Sequence, residues 1–218
     1  MIEYAEKYGY KLQEAFVEHL QIVGLTLLLS IVIASAVTLV VMRSPRAARI
    51  TVRIFGGVYA IPSLALFALL IPVTGLGFDT ALLVLVVYNQ FLLIRNFIAG
   101  LDSVDPLLVE AATGMGMTQR SILMKVKLPL AFPVMLAGIH LSVISTIGIA
   151  TIAAVIDAGG IGTILFDGLR TQSPVKIAWG TLLAAGLAIA ANLILLAVER
   201  SVSKKYHYQN DGTEPVPS

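Results

Sequence analysis

The sequence predicts an all-α membrane protein with five transmembrane helices, the N-terminus outside and the C-terminus in the cytoplasm. Of its 218 residues, 57% are hydrophobic and 13% are charged, which is about half the charged share of a soluble domain. Five apolar stretches are each long enough to cross the roughly 30 Å hydrocarbon core of a bilayer. These stretches cover residues 20–42, 52–73, 80–99, 130–156 and 176–198.

Lysine and arginine residues in the loops determine the predicted orientation, because cytoplasmic loops carry an excess of both. Ten of them lie on one side, in the loop after the first stretch, in residues 104–129 and in the C-terminal tail. The other side has four, namely Lys7, Lys11, Arg170 and Lys176. Arg95 is not counted, since it lies inside the third stretch, close enough to the cytoplasmic end to snorkel. Residues 104–129 are therefore expected in the cytoplasm.

Residues 1–19 combine charged side chains with an apolar stripe in which Tyr4, Tyr8 and Leu12 recur every four residues. This pattern is typical of an amphipathic helix in the external membrane interface, and a solvated leader fits it almost as well. No basic segment precedes the first apolar stretch, so no cleavable signal peptide is expected. Residues 20–199 are expected to form the five-span domain, and residues 200–218 a polar, disordered cytoplasmic tail.

Two of the predicted spans contain signals that interrupt a uniform apolar helix. Ile61-Pro62-Ser63 lies within the second span, where proline is expected to cause a kink. Asn89 and Gln90 lie near the middle of the third span. Buried amides in lipid need partners, so these two either bond neighbouring helices or line a wet translocation pathway.

The fourth span is rich in small and hydroxyl-bearing residues, and Ser142, Thr146 and Ala150 recur on one of its faces. Such a face allows two helices to approach closely, or it lines a pore. Both interpretations remain open from the sequence. Together with Asn89 and Gln90, these residues are the candidates for the translocation pathway.

Residues 104–129 form a long amphipathic segment between apolar stretches. Asp105 can cap a helix whose first residue is Pro106, which has no N–H group to satisfy. Gly114 and Gly116 can end that helix, because glycine tolerates the left-handed backbone of a helix C-terminus. A second short helix is expected to begin after Thr118 and to end at Pro129. Two short helices joined at a glycine turn predict a docking surface for a soluble partner.

The same segment contains Glu110-Ala111-Ala112, Gly116 after three residues, and Val126-Lys127-Leu128-Pro129 after nine more. This pattern resembles the EAA signature, E-A-A-x3-G-x9-I-x-L-P, of permease subunits of binding-protein-dependent ABC importers. The one departure is Val126 in place of isoleucine, a change of one methylene group. We refer to residues 104–129 as the EAA loop.

The resemblance implies the type I ABC importer permease fold, with the EAA loop as a coupling helix that fits a cleft on an ATPase subunit. The residues it implies for coupling are Asp105, Glu110, Ala111, Ala112, Gly116, Leu128 and Pro129. The implied partners are two ABC ATPase subunits, a second permease chain (identical or homologous), an extracytoplasmic solute-binding protein and membrane lipid. ATP and Mg are expected on the ATPase, with no cofactor on this chain. The implied location is the cytoplasmic (inner) membrane of a prokaryote.

The external loop after the fourth span begins with Asp157-Ala158-Gly159-Gly160-Ile161-Gly162. A nucleotide-binding loop is excluded, because no strand precedes it, the spacing misses G-x-G-x-x-G and no G-K-[ST] follows. The residues themselves predict a flexible turn before a short segment at 163–169. The resemblance implies an external gate or a contact with the binding protein, formed by Asp157, Gly159, Gly160 and Gly162.

The short five-span chain, the Ile61-Pro62-Ser63-Leu64-Ala65-Leu66 motif and the glycine-rich loop resemble permeases for glycine betaine, carnitine or choline. Permeases for methionine or another amino acid share the same five-span core and are the alternative. An ion-driven secondary transporter would need ionisable groups at mid-membrane or inverted repeats. A membrane-embedded assembly subunit that transports nothing is a further alternative.

Several functions are excluded by the residues that the sequence lacks. Without cysteine there is no disulfide, thiolate metal site or thiol nucleophile. The histidines, His19, His140 and His207, have no metal-ligand spacing, and there is no nucleophile elbow. A net charge of +2 and the absence of a basic, aromatic-interleaved patch argue against nucleic acid. The chain is not expected to be an enzyme.

Overall fold

The computed structural model describes residues 1–207, and side chains as far as residue 201. Every element in these residues is helical. The α-helices are α1 (Ile2–Val41), α2 (Pro45–Tyr59), α3 (Ser63–Thr74), α4 (Phe78–Asp102), α5 (Pro106–Gly114), α6 (Gln119–Ile122), α7 (Leu128–Ala153), α8 (Gly162–Arg170) and α9 (Pro174–His207). A π-helical turn at Leu123–Lys127 joins α6 to α7, and a 3₁₀ turn at Ala154–Ile156 follows α7.

Four helical segments of the described chain are long and apolar enough to cross a membrane, namely Ile2–Val41, Phe78–Asp102, Gln119–Ile156 and Pro174–Ser201. Helices α2 and α3 pass the same test only as a pair, and they meet at an angle of 92°. The break falls at Ala60–Pro62, so the expected interruption is present and much sharper than a kink. The hydroxyl group of Tyr88 donates a hydrogen bond to the Ile61 carbonyl oxygen there. The bond gives the Ile61 carbonyl oxygen a hydrogen-bond donor, which the lipid tails could not supply.

Residues 1–19 are continuous with the first span, since α1 departs from helical geometry only at Tyr8 (φ −123°, ψ 18°). Leu12 and Ala15 pack against Ile164 of α8 in a small apolar cluster. The indole N–H group of Trp179 donates to the Met1 carbonyl oxygen at 3.2 Å. This part of α1 therefore packs on the ends of α8 and α9, and its place in the membrane interface stays a prediction.

Helix α4 is the centre of the bundle and packs against α1, α2, α3 and α7. It is apolar on nearly all sides, as expected of a helix that is surrounded by others. Its buried residues include Val84, Leu85, Leu93 and Phe97, which contribute to two apolar clusters. The bundle is thus built around one helix in the middle of the chain.

Helices α4 and α7 approach closely because glycine occupies two of their contact positions. A Cβ atom at Gly138 of α7 would overlap the Cβ atom of Asn96, and one at Gly100 of α4 would lie 2.9 Å from the Ala131 carbonyl oxygen. Lipid tails are as apolar as the helices, so association depends on this close van der Waals packing rather than on the hydrophobic effect.

Helix α9 extends through residues 200–207, which corrects the expectation of a disordered tail from residue 200. The stretch 187–207 contains neither glycine nor proline, so nothing in it stops the helix. Residues 208–218 of the expected tail lie outside the described residues. His140 joins α7 to α9: its Nδ1 atom lies 2.8 Å from Glu199 Oε1, and its Nε2 atom lies 2.9 Å from Asn192 Oδ1.

We predict that Gly138→Ala destabilises the protein by about 1–3 kcal/mol, because the added methyl group must push α7 away from α4. Gly148→Ala in the same helix is the control, since nothing lies within 4 Å of its Cβ position, and a helical alanine adds up to about 1 kcal/mol of stability. Thermal unfolding of the full chain in detergent measures both. Equal unfolding temperatures for the two variants would contradict the proposed close contact.

Candidate functional site

The EAA loop contains the two capped helices that the sequence predicts, first α5 and then α6. The Asp105 carboxylate accepts a hydrogen bond from the Leu107 backbone N–H at 2.8 Å, and Pro106 is the first residue of α5. The Thr118 hydroxyl accepts from the Ser121 N–H at 3.3 Å at the start of α6. Each cap satisfies an N–H group that has no partner within its own helix.

The turn between α5 and α6 depends on Gly116, whose φ is +79°. Its N–H donates to the Thr113 carbonyl oxygen at 2.9 Å, and the next N–H, of Met117, donates to Ala112 at 3.1 Å. These two bonds define a Schellman motif, which needs a left-handed residue at this position. Gly114, in contrast, is the last helical residue of α5 and has an ordinary φ. Only Gly116 of the two glycines needs left-handed backbone.

Pro129 does not end the second helix, contrary to expectation. It lies in the first turn of α7, and the helical path is continuous from Gln119 to Ile156. Pro129 has no backbone N–H group, and the π-helical turn before it accommodates this. In that turn the Leu128 N–H donates to the Leu123 carbonyl oxygen, five positions earlier, instead of to the residue four positions earlier. The EAA loop is therefore joined directly to a membrane-spanning helix, with Leu128 half-buried at the junction.

Helix α5 has one packed side and one free side. Val109 packs against a buried cluster of Leu101, Val104 and Ala131, and Ala112 is buried as well. The free side exposes Leu107 (68%), Leu108 (48%) and Met115 (74%), together with Glu110 and Ala111. Exposed large apolar side chains grouped on a short helix mark an interaction surface.

The structure brings three of the pathway candidates, Asn89, Ser142 and Thr146, together inside the bundle. The amide N–H of Asn89 donates to the Thr146 hydroxyl at 2.8 Å, which itself donates to the Ser142 carbonyl oxygen at 2.6 Å. Gln90 donates to the carbonyl oxygens of Val86 at 3.0 Å and Ser30 at 3.5 Å. All five candidates, including Ala150, are buried, with at most 3% of each residue exposed. Within this chain they connect α4 with α7 and α1, and a role in the pathway stays a prediction.

The sequence did not predict that α1 contacts these residues, through the Ser30 carbonyl oxygen that accepts from Gln90, nor that α1 buries a row of small and hydroxyl-bearing residues. Thr26, Ser30, Ala34 and Thr38 recur every four residues and are all buried. Among the described residues, the three hydroxyl groups have no hydrogen-bond partner, and neither do Ser142 Oγ and Gln90 Oε1. The spacing of four small residues is the same signal that identified the fourth span, so the sequence contained the information.

The glycine-rich loop is held against α1. The Gly160 N–H donates to a Glu18 carboxylate oxygen at 2.8 Å, a contact that the sequence did not predict. Gly159 and Gly160 have φ near +80°, and a Cβ atom at Gly160 would lie 2.9 Å from His19 Nδ1. The expected flexible turn is thus a turn packed tightly on the first helix.

The other two gate candidates form the ends of this turn. Asp157 takes left-handed backbone, with φ of +60°, directly after the 3₁₀ turn. A Cβ atom at Gly162 would overlap the Thr151 carbonyl oxygen, so α8 begins in contact with α7.

Asp167 of α8 accepts hydrogen bonds from Lys176 at 2.7 Å and from Arg170 at 2.9 Å, and these bonds hold the pKa of its carboxyl group below the ordinary value. No group of three or more His, Asp or Glu in the described chain could hold a metal ion.

Comparison with known proteins agrees with the geometry of the loop and bundle. Residues 22–208 match the family described as the binding-protein-dependent transport system inner membrane component. The chain is 33% identical over 205 residues to the glycine betaine/carnitine/choline transport system permease protein OpuCB of Bacillus subtilis (strain 168), covering 94% of both chains. It is 31% identical over 205 residues to the carnitine transport permease protein OpuCB of Listeria monocytogenes, again covering 94% of both. A solved inward-facing conformation of the MetNI methionine ABC transporter has a TM-score of 0.82 at 22% identity, covering 90% of this chain and 98% of that chain.

This chain belongs to the family of binding-protein-dependent transport system inner membrane components. The resemblance that the EAA loop carries is therefore confirmed, and the protein is a multi-pass component of the inner membrane. At 22% identity, the likeness to the methionine transporter shows the fold alone.

We predict that Thr146→Val lowers stability by about 0.6–2 kcal/mol, because it keeps the side-chain shape but leaves the Asn89 amide without its acceptor. Ser142→Ala is the control, since that hydroxyl has no hydrogen-bond partner in the described chain, and we expect a change of less than about 0.5 kcal/mol. Thermal unfolding in detergent measures both. A Thr146→Val variant as stable as the Ser142→Ala variant would show that the bond contributes nothing.

Proposed function

We propose that this chain is the permease subunit of an ATP-driven importer for a small compatible solute of the glycine betaine, carnitine or choline type. The observation that carries the proposal is the EAA loop, folded as two capped helices with an exposed apolar side and joined directly to α7. The relatives that support the solute class are 31% and 33% identical over nearly the whole chain.

The proposed assembly contains two permease chains, identical or homologous, two ATPase subunits and an extracytoplasmic binding protein. ATP and Mg belong to the ATPase, and this chain hydrolyses nothing itself. Five spans, with α2 and α3 as a broken second span, put the N-terminus outside and the EAA loop in the cytoplasm. The positive charge of the loops on that side supports this orientation.

In the proposed mechanism, the exposed side of α5 sits in a cleft of the ATPase. Nucleotide-driven closure of the ATPase pair moves α5, and the continuous path from α6 to α7 carries the movement into the bundle. The permease pair then alternates between outward-open and inward-open states. Coupling between two distant sites requires a two-state element that both of them bias, and the relative positions of the two permease chains would be that element.

Reconstitution tests the proposed function. The chain is combined with its ATPase and binding protein in vesicles, and uptake of labelled glycine betaine, carnitine, choline and methionine is measured with and without ATP. We expect ATP-dependent uptake of at least one of the three quaternary ammonium solutes. Uptake that survives nucleotide depletion would instead indicate an ion-driven carrier, and uptake of methionine alone would indicate the amino-acid class.

We predict that Gly116→Val lowers uptake and solute-stimulated ATP hydrolysis in the same vesicles by about five- to thirtyfold. Open space surrounds this glycine, so the cost is not a clash but the left-handed backbone, roughly 1–2 kcal/mol for a residue with a Cβ. A turn that relaxes to ordinary φ directs α6 away from its place beside α5. Gly114→Ala is the matched control, because its position is helical and equally open. Wild-type activity in Gly116→Val would overturn the role given to this turn.

A further inference from the structure

Helices α2 and α4 run antiparallel and approach most closely at one end of their contact, beside Gly56. A Cβ atom at Gly56 would lie 3.1 Å from the ring of Phe91, and the Tyr59 and Phe91 rings are 5.1 Å apart. Towards the start of α2 the helices border an open cavity of about 560 Å³, which is lined by five residues of α2 and five of α4, together with Met42 and Lys127.

The lining of this cavity combines positive charge with apolar side chains. Arg49, Arg53, Arg95 and Lys127 contribute four cations, against the single carboxylate of Asp102. None of the four forms an ion pair with a described residue. Cations grouped in this way repel one another, and an anion among them would relieve that repulsion. We call this space the basic cavity.

The surroundings of the basic cavity favour an amphipathic anion over a small soluble one. Val52, Ile98 and Leu101 form apolar wall, which a free phosphate would not use. Ile50 and Ile54, the residues next to Arg49 and Arg53 in α2, are exposed large apolar side chains. Their position allows acyl chains to lie along α2 while a headgroup enters between the helices.

We infer that the basic cavity binds the phosphate headgroup of an anionic phospholipid. In the orientation proposed above, on which this inference rests, the cavity lies at the cytoplasmic leaflet. That leaflet carries the anionic lipids that basic residues near a membrane surface attract. The cavity is large enough for a glycerophosphate headgroup, since ligand sites typically measure about 300–1,000 Å³. The bound lipid would fix the position of α2 against α4.

The test measures lipid binding to the purified full chain in detergent. Dioleoyl phosphatidylglycerol is the probe, phosphatidylcholine the neutral lipid and glycerol 3-phosphate the headgroup without chains, and bound molecules are counted by native mass spectrometry. We expect wild type to retain phosphatidylglycerol in preference to phosphatidylcholine and to bind no glycerol 3-phosphate at the same concentration. Equal retention of the two lipids, or equal binding of glycerol 3-phosphate, would overturn the lipid assignment.

Matched variants locate the site. The triple variant Arg49→Gln, Arg53→Gln, Arg95→Gln should bind phosphatidylglycerol about a hundredfold more weakly, at roughly fivefold for each lost cation. The control triple Arg43→Gln, Arg46→Gln, Arg120→Gln removes the same charge from exposed positions that do not line the basic cavity. Equal loss in both triples would show a diffuse surface charge effect and overturn the site.

A third variant keeps all the positive charges of the basic cavity and fills its volume. Ala48 is buried and lines the basic cavity, so Ala48→Phe should exclude the headgroup with every cation in place. Retained phosphatidylglycerol in Ala48→Phe would overturn the inference even if the triple variant failed to fold.

The lipid assay needs neither the ATPase nor transport, so its failure leaves the uptake result untouched. The orientation is tested separately by labelling Arg46→Cys, the only thiol in that variant, in intact cells with a membrane-impermeant maleimide. We expect no labelling until the membrane is opened. Labelling of intact cells would overturn the proposed orientation and the cytoplasmic leaflet with it.

Discussion

The contact between α4 and α7 is the interaction on which the rest of the bundle depends. Lipid supplies no hydrophobic force between helices, so close packing and buried hydrogen bonds must hold them together. Gly100 and Gly138 permit the close approach, and the bond from Asn89 to Thr146 fixes the rotation of one helix relative to the other. Helix α1 then packs against both, and α2 and α3 pack along the remaining sides of α4. The EAA loop is positioned by this pair, because it connects the end of α4 to the start of α7.

The EAA loop could be predicted closely because its structure is determined within a few residues. A cap at Asp105 acts on the N–H two residues later, and the Schellman turn at Gly116 closes over six residues. Such signals do not depend on residues far away in the sequence. Pro129 was the exception, since a π-helical turn can accommodate a proline and its formation has no clear residue signature.

The features that could not be predicted join residues far apart in the sequence. The bond from Gly160 to Glu18 spans 142 positions, and the bonds of His140 to α9 span 52 and 59. The 92° angle between α2 and α3 depends on how both pack against α4, whereas Pro62 indicates only that a break occurs. The polar contact between α4 and α7 joins residues that the sequence indicates, Asn89 and Thr146. The buried row on α1, which includes Ser30, follows the same four-residue spacing.

The glycine-rich loop has a consequence for where this subunit can bend. Glu18 fastens the loop to α1, and a second bond of 2.7 Å, from the Gly77 N–H to the Ile156 carbonyl oxygen, fastens the same region to the start of α4. Three helices that are remote in sequence are thereby tied at one end, by one bond between backbone groups and one bond to the Glu18 carboxylate. The tied end should move as a single block, which leaves the opposite end, where α2 and α5 attach, as the place for any internal hinge.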